Sequence, residues 1–156
     1  MKRPILTLRI SRRAIGAAVL EGDALTLVDG RHLTSRRDRA AAAAVRYIER
    51  LLDLAKPHGV ALDLPRLPTG DSDRIASAIT TALQNRKLNA LVIGKADVLT
   101  AYSVRPLRTR AQLREIAHRF WPDLQRVPGQ VQPYVADAAV AALYAESRLA
   151  LHPPPT

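Results

Sequence analysis

Arginines are the residues of this chain best suited, by type and spacing, to do chemistry. They gather in three runs: Arg9, Arg12 and Arg13; then Arg31, Arg36, Arg37 and Arg39; then Arg105, Arg108, Arg110 and Arg114. A guanidinium is planar, permanently charged and presents paired N–H groups that match two oxygens of a phosphate, so such runs point to phosphate recognition. Only four lysines accompany them, Lys2, Lys56, Lys87 and Lys95. In all, 24 basic residues face 14 acidic ones, which leaves a formal charge of +10 and a pI near 11.0. Codon bias in a GC-rich genome accounts for arginine over lysine but not for an excess of ten positive charges. The balance predicts a nucleic-acid partner, met through backbone or shape rather than through base edges.

Other chemistries are poorly supplied. There is no cysteine, hence no disulfide, thiolate metal site or cysteine nucleophile. His32, His58, His118 and His152 are scattered without metal-ligand spacing. No serine sits in a G-x-S-x-G elbow, and the seven glycines form neither a P-loop nor a G-x-G-x-x-G cradle. Asp71-Ser72-Asp73 is half a calcium loop without its glycine and closing glutamate, and reads as a helix cap. No metal and no cofactor is expected from these residues.

The elements that must position the arginines are legible from periodicity. Short apolar runs at 5–10, 14–20 and 24–33 are strands, and the tight links Ser11-Arg12-Arg13 and Glu21-Gly22-Asp23 make them an antiparallel meander. Ser35-Arg36-Arg37-Asp38 matches a capping box that opens a helix to about 56, with Val45, Ile48, Leu51, Leu52 and Ala55 as its apolar stripe. A strand at 60–64 follows. Asp71, Ser72 or Asp73 caps a second helix bearing Ile75, Ile79 and Leu83, and Ala90-Leu91-Val92-Ile93 is the fifth strand. One or two helical turns are expected at 97–103. Thr109-Arg110-Ala111-Gln112 opens a helix whose stripe of Leu113, Ile116, Ala117 and Phe120 faces a core, with Trp121 beside it. Residues 122–133 read as a long connection and 135–151 as the last helix.

The order β-β-β-α-β-α-β-α-α predicts an α/β fold with a five-stranded mixed sheet, three antiparallel strands then two parallel, and helices on both faces. The length of 156 residues and 47% hydrophobic content suit one globular domain over 1–151 with a disordered tail at 152–156. No apolar run reaches the roughly 20 residues of a membrane span. The basic N-terminus leads into an apolar stretch that Arg9 interrupts, which is no signal peptide. A cytoplasmic protein without membrane contact is expected.

This order resembles the RNase H-like fold in the variety used by RuvC-type Holliday-junction resolvases. Four stretches carry the resemblance. Ile5-Leu6-Thr7-Leu8-Arg9-Ile10-Ser11 sits where the family has a strand ending in an Asp-Pro-Gly type of sequence. Gly16-Ala17-Ala18-Val19-Leu20-Glu21 is similar to its second strand. Ala61-Leu62-Asp63 falls where the fourth strand carries an acid, and 135–143, with its Asp137-Ala138 start, is similar to the C-terminal helix.

The resemblance implies metal-assisted phosphodiester cleavage, with carboxylates converging on two divalent ions. This chain departs from that pattern. Asp63 and Asp137 match two of the acids, but Arg9 stands where the first-strand acid is expected and Tyr134 where a further helix acid is expected. No acid precedes Glu21. A guanidinium repels Mg²⁺ and cannot be deprotonated. Arg9 is therefore expected to replace the metals and cluster with Asp63 and Asp137, and Arg9→Asp is expected to bring metal affinity back. The implied function is a catalytically degenerate domain that binds structured DNA or RNA through Arg12, Arg13, Arg36, Arg37, Arg39, Arg108, Arg110 and Arg114, as a homodimer or a subunit of a larger complex. Two alternatives stay open: an active Mg²⁺-dependent structure-specific endonuclease using Asp63, Asp137 and a further acid such as Asp29, and a protein-interaction module that binds no nucleic acid.

Overall fold

The computed structural model describes residues 3–33, 37–64, 70–94, 97–98 and 109–151. Its elements are β1 (Ile5–Ile10), β2 (Ala14–Glu21), β3 (Ala24–His32), α1 (Arg37–Ala55), β4 (Gly59–Asp63), α2 (Gly70–Asn85), β5 (Ala90–Ile93), α3 (Arg110–Phe120) and α4 (Gln132–Leu151), with a 3₁₀ turn at Pro122–Arg126 between the last two helices. The strands form one sheet in the order β3-β2-β1-β4-β5. β1–β2 and β2–β3 pair antiparallel, and β1–β4 and β4–β5 pair parallel. Gly22, at φ 70°, makes the β2–β3 turn that the Glu21-Gly22-Asp23 sequence predicts.

The two-residue period of a strand sends alternate side chains to opposite faces. From β1, Leu6, Leu8 and Ile10 join Val60 and Leu62 of β4 under α1 and α2, where Ala44, Ile48, Leu52, Ile79 and Leu83 meet them. Ile5 of β1 and Ala61 of β4 belong to the other face, under α3 and α4. Thr7 and Arg9, two and four residues beyond Ile5, share that second face, as does Asp63 beyond Ala61. Leu113 and Ala117 of α3 and an alanine-rich run of α4 close over it. Residues 135–142 of α4 are buried without a break, so this helix is central and has no solvent face along that stretch.

Close approach of α4 to the sheet depends on Gly16. A Cβ there would meet the backbone of Tyr134 and Val135. A Cβ at Gly30, its cross-strand partner on β3, would meet the Val131 side chain just ahead of α4. The missing side chains let the start of α4 lie on β2 and β3, which sets the height of Asp137 above β1.

Several expectations are corrected. The stretch 122–133 is not a long open connection: a 3₁₀ turn occupies Pro122–Arg126, and α4 begins at Gln132 with Pro133 in its first turn, where proline's missing N–H costs nothing. Helix α2 starts at Gly70, so Ser72 lies within it, buried, rather than capping it from outside. Phe120 is 61% exposed instead of completing the α3 stripe. Trp121 is partly buried against the core, and its Nε1 donates to the Asp23 carbonyl at 3.4 Å. The 35–38 cap expected for α1, most of the 97–103 turns and the 152–156 tail lie outside the described residues, or in side chains outside them. Among the described residues, no helix is long and apolar enough to cross a membrane.

Candidate functional site

Arg9 and Asp63 are register partners on adjacent parallel strands. Each lies near the C-terminal end of its strand, and both are buried. Asp137, buried in α4, stands over them. Arg9 Nε donates to Asp137 Oδ2 at 3.3 Å and lies 4.0 Å from Asp63 Oδ2. Its Nη1 donates to the Ile10 carbonyl at 2.8 Å and to the Asp63 carbonyl at 3.4 Å. A buried guanidinium needs such partners, because burial alone disfavours the charged form. Burial here pulls the Arg9 pKa below its ordinary value and the nearby Arg110 adds to this, while Asp63 and Asp137 oppose both.

Two more arginines complete the site. Arg110, at the start of α3, places Nη1 and Nη2 each 2.9 Å from Asp63 Oδ2 and Oδ1. Arg114, one turn on, places Nε and Nη2 each 2.9 Å from Asp137 Oδ1 and Oδ2. Both are fork-to-fork pairs, the strongest guanidinium–carboxylate arrangement. Arg110 Nη1 also lies 3.6 Å from Asp137 Oδ2, which joins the two pairs into one network. Burial tends to lower the Arg110 pKa, but hydrogen bonding and attraction from Asp63, with help from Asp137, outweigh it and hold the pKa above its ordinary value. The helix that delivers these forks is well begun. Thr109 accepts from the Gln112 N–H, and the Gln112 side chain accepts from the Thr109 N–H, the reciprocal cap expected from sequence.

Three guanidinium groups thus surround two carboxylates, for a net charge of +1, and all four carboxylate oxygens accept from an arginine. A pair of divalent ions needs oxygens free to coordinate and a negative site to hold them. This residue set does not fit them. Among the described residues there is also no group of three or more His, Cys, Asp or Glu placed to hold a metal. Arg110 and Arg114 hold Asp63 and Asp137 independently of Arg9, so both acids are expected to stay paired in Arg9→Asp.

The remaining sequence candidates separate. Arg12 and Arg13 are exposed on the β1–β2 turn, three and four residues beyond Arg9, and Arg39 is exposed on α1. Arg110 and Arg114, expected on a phosphate-facing surface, are turned onto carboxylates instead. Arg36 and Arg108 lie outside the described residues, as does the side chain of Arg37. Asp29 does not join the cluster: on β3, it accepts from the Tyr47 hydroxyl at 2.8 Å. Sequence reading missed the pairing of Arg110 and Arg114. One signal was present: two cations open a helix whose first turn carries no acid, the reverse of what the helix dipole favours, so a tertiary partner must offset the mismatch.

No protein-family model matches the sequence, and no curated protein matches it. Solved structures do. A RuvC from T. thermophilus, determined in complex with a Holliday-junction substrate, superposes with a TM-score of 0.72 at 11% identity, over 94% of this chain and 96% of that one. The yeast mitochondrial Holliday-junction resolvase Ydc2 gives 0.67 at 12% identity, over 95% and 80%. The fowlpox virus resolvase, solved with Holliday-junction DNA, gives 0.58 at 13% identity, over 92% and 99%. The fold is therefore RNase H-like, of the RuvC type, across nearly the whole chain.

Proposed function

We propose that this domain binds structured nucleic acid and does not cut it. The observation that carries the proposal is the three-to-two count of arginines, from β1 and α3, over the buried aspartates of β4 and α4. Cleavage on such a fold needs carboxylates that hold metal or accept a proton from water. Here every oxygen of both carboxylates accepts from a guanidinium N–H group, which disfavours either task. The positive remainder attracts phosphate at the place where a metal centre would act on it.

The exposed pair Arg12 and Arg13 adjoins this site and supplies contacts to backbone phosphate. The similarity to two resolvases solved with Holliday-junction DNA makes a branched duplex the first ligand to test. A homodimer or a place in a larger complex is compatible with the same surface.

A labelled four-way DNA junction tests the proposal. Binding is expected to be equally tight with chelator or with Mn²⁺, with no strand cleavage in either, and to weaken steeply with salt. Metal-dependent nicking would establish an active nuclease instead. A flat salt dependence would leave a protein-interaction module. Arg12→Gln with Arg13→Gln is expected to reduce the slope of log K against log salt by about 2, at roughly 0.9 for each phosphate no longer neutralised.

A further inference from the structure

A second group of arginines lies on the other side of the sheet, along α1. Arg39, Arg46 and Arg50 are exposed. At 3.6 residues per turn they fall within about 40° of one line on the helix and span roughly 16 Å of its length. Arg31, exposed on edge strand β3, joins them: Arg31, Arg46 and Arg50 line one groove of about 460 Å³ with Arg86, Glu49 and Asp53. Within it Arg86 is spent on Asp53 at 2.7 Å. Among the described residues, Arg31, Arg46 and Arg50 have no carboxylate within salt-bridge distance.

Two features set this group apart from an ordinary solvated helix face. Arg46 and Arg50 are four residues apart on one helix, and like charges at that spacing repel. Arg31 is also held in place. Its guanidinium carbon sits 5.9 Å from the centroid of the buried Tyr47 ring, and the Tyr47 hydroxyl is fixed by its bond to Asp29. The same bond takes one oxygen, Oδ2, of Asp29, the acid of β3 nearest Arg31 in sequence, and Asp29 is not within salt-bridge distance of Arg31. An arginine stacked on Tyr47, in a groove with two arginines that have no carboxylate within salt-bridge distance among the described residues, is arranged to receive an external polyanion.

We propose that Arg31, Arg46 and Arg50 form a second phosphate-binding surface, which tracks the backbone of a nucleic-acid duplex on the side of the sheet opposite the Asp63–Asp137 cluster. This rests on the nucleic-acid reading above and adds to it: the domain holds two segments of nucleic acid, one at each face. Phosphate contacts without base edges predict little sequence preference.

The test compares three full-length proteins on a four-way DNA junction across a salt series: wild type, Arg31→Gln/Arg46→Gln/Arg50→Gln, and a charge-matched control, Arg119→Gln/Arg126→Gln/Arg148→Gln. All six positions are exposed, and unchanged unfolding midpoints verify the fold. The groove variant is expected to lower the salt slope by about 2–3, at roughly 0.9 per phosphate, and the control by less than about 1. Wild-type binding with an unchanged slope in the groove variant would overturn the second surface and leave the first intact. Equal effects in both variants would reduce it to net charge and overturn it too. Failure of the wild type to bind at all would remove the nucleic-acid reading and this surface with it. Groove-dependent sedimentation with phosphatidylserine vesicles, alongside unchanged junction binding, would assign the groove to a membrane instead.

Discussion

Arginines in this protein do two opposite jobs, one on each side of the sheet. Under α3 and α4, Arg9, Arg110 and Arg114 are drawn inward onto Asp63 and Asp137, with Arg9 only 8% exposed. Along α1 and the neighbouring edge of β3, Arg31, Arg46 and Arg50 stay exposed, with no carboxylate within salt-bridge distance among the described residues. The side chains are the same and the surroundings decide the role. A buried charge has no water to stabilise it and must be matched by a counter-charge, whereas an exposed one is solvated and remains available. The first group holds helices to the sheet. The second contributes little to folding and is free to meet a ligand.

The largest effect that bears on this contrast is expected from Asp137→Ala. It strips Arg114 of its fork partner and Arg9 of its Nε acceptor in a buried site, and should cost ~3–5 kcal/mol, read as a lower urea midpoint. A loss below ~1 kcal/mol would mean that the cluster is no structural element. Next, Gly16→Ala should cost about 1–3 kcal/mol through overpacking, because the new methyl must push α4 off β2 and carry Asp137 away from Arg9. Unfolding of that variant by denaturant measures it directly.

A smaller effect is expected on the α1 side. Burial first, then the hydrogen bond to Asp29, raise the Tyr47 pKa above its ordinary value. An unfolded tyrosine ionises near pH 10 while the folded one keeps its proton, so the folded state binds more protons and stability falls as pH rises above that value. Tyr47→Phe should cost about 1 kcal/mol at neutral pH and should flatten the decline between about pH 9 and 11, as followed by thermal melts across that range. Smallest of all, Arg46→Gln with Arg50→Gln should shift stability by no more than ~0.5 kcal/mol, toward greater stability as an i,i+4 repulsion is relieved. A substantial loss of stability in that pair would erase the distinction between the two groups.

Much of the fold was legible because local rules and global topology agree. Tight turn residues gave the meander, the Thr109–Gln112 box gave the start of α3, and the resemblance to RuvC-type order placed Arg9 beside Asp63 and Asp137. The site was legible only through its strand and α4 residues. Arg110 is 47 residues from Asp63 and Arg114 is 23 from Asp137. No periodicity spans such separations, and an arginine that will be buried looks the same in sequence as one that will be exposed. The start of α4 was misplaced for a different reason: Pro133 reads as a breaker unless the first turn of a helix is known to tolerate it.

The way α3 is pinned has a consequence for how such a domain changes over generations. In a metal site each acid is held by ions that the solution supplies, so losing and regaining an acid is in principle a one-codon path. Here the counter-charge is written into the chain at three separate positions. An acid introduced at position 9 still finds both aspartates occupied. Removing Arg110 or Arg114 first leaves a buried aspartate short of its partner, at the expense of stability. Each single substitution among the three arginines is therefore expected to give a site that is either no more able to hold metal or less stable, so the arrangement resists conversion one residue at a time.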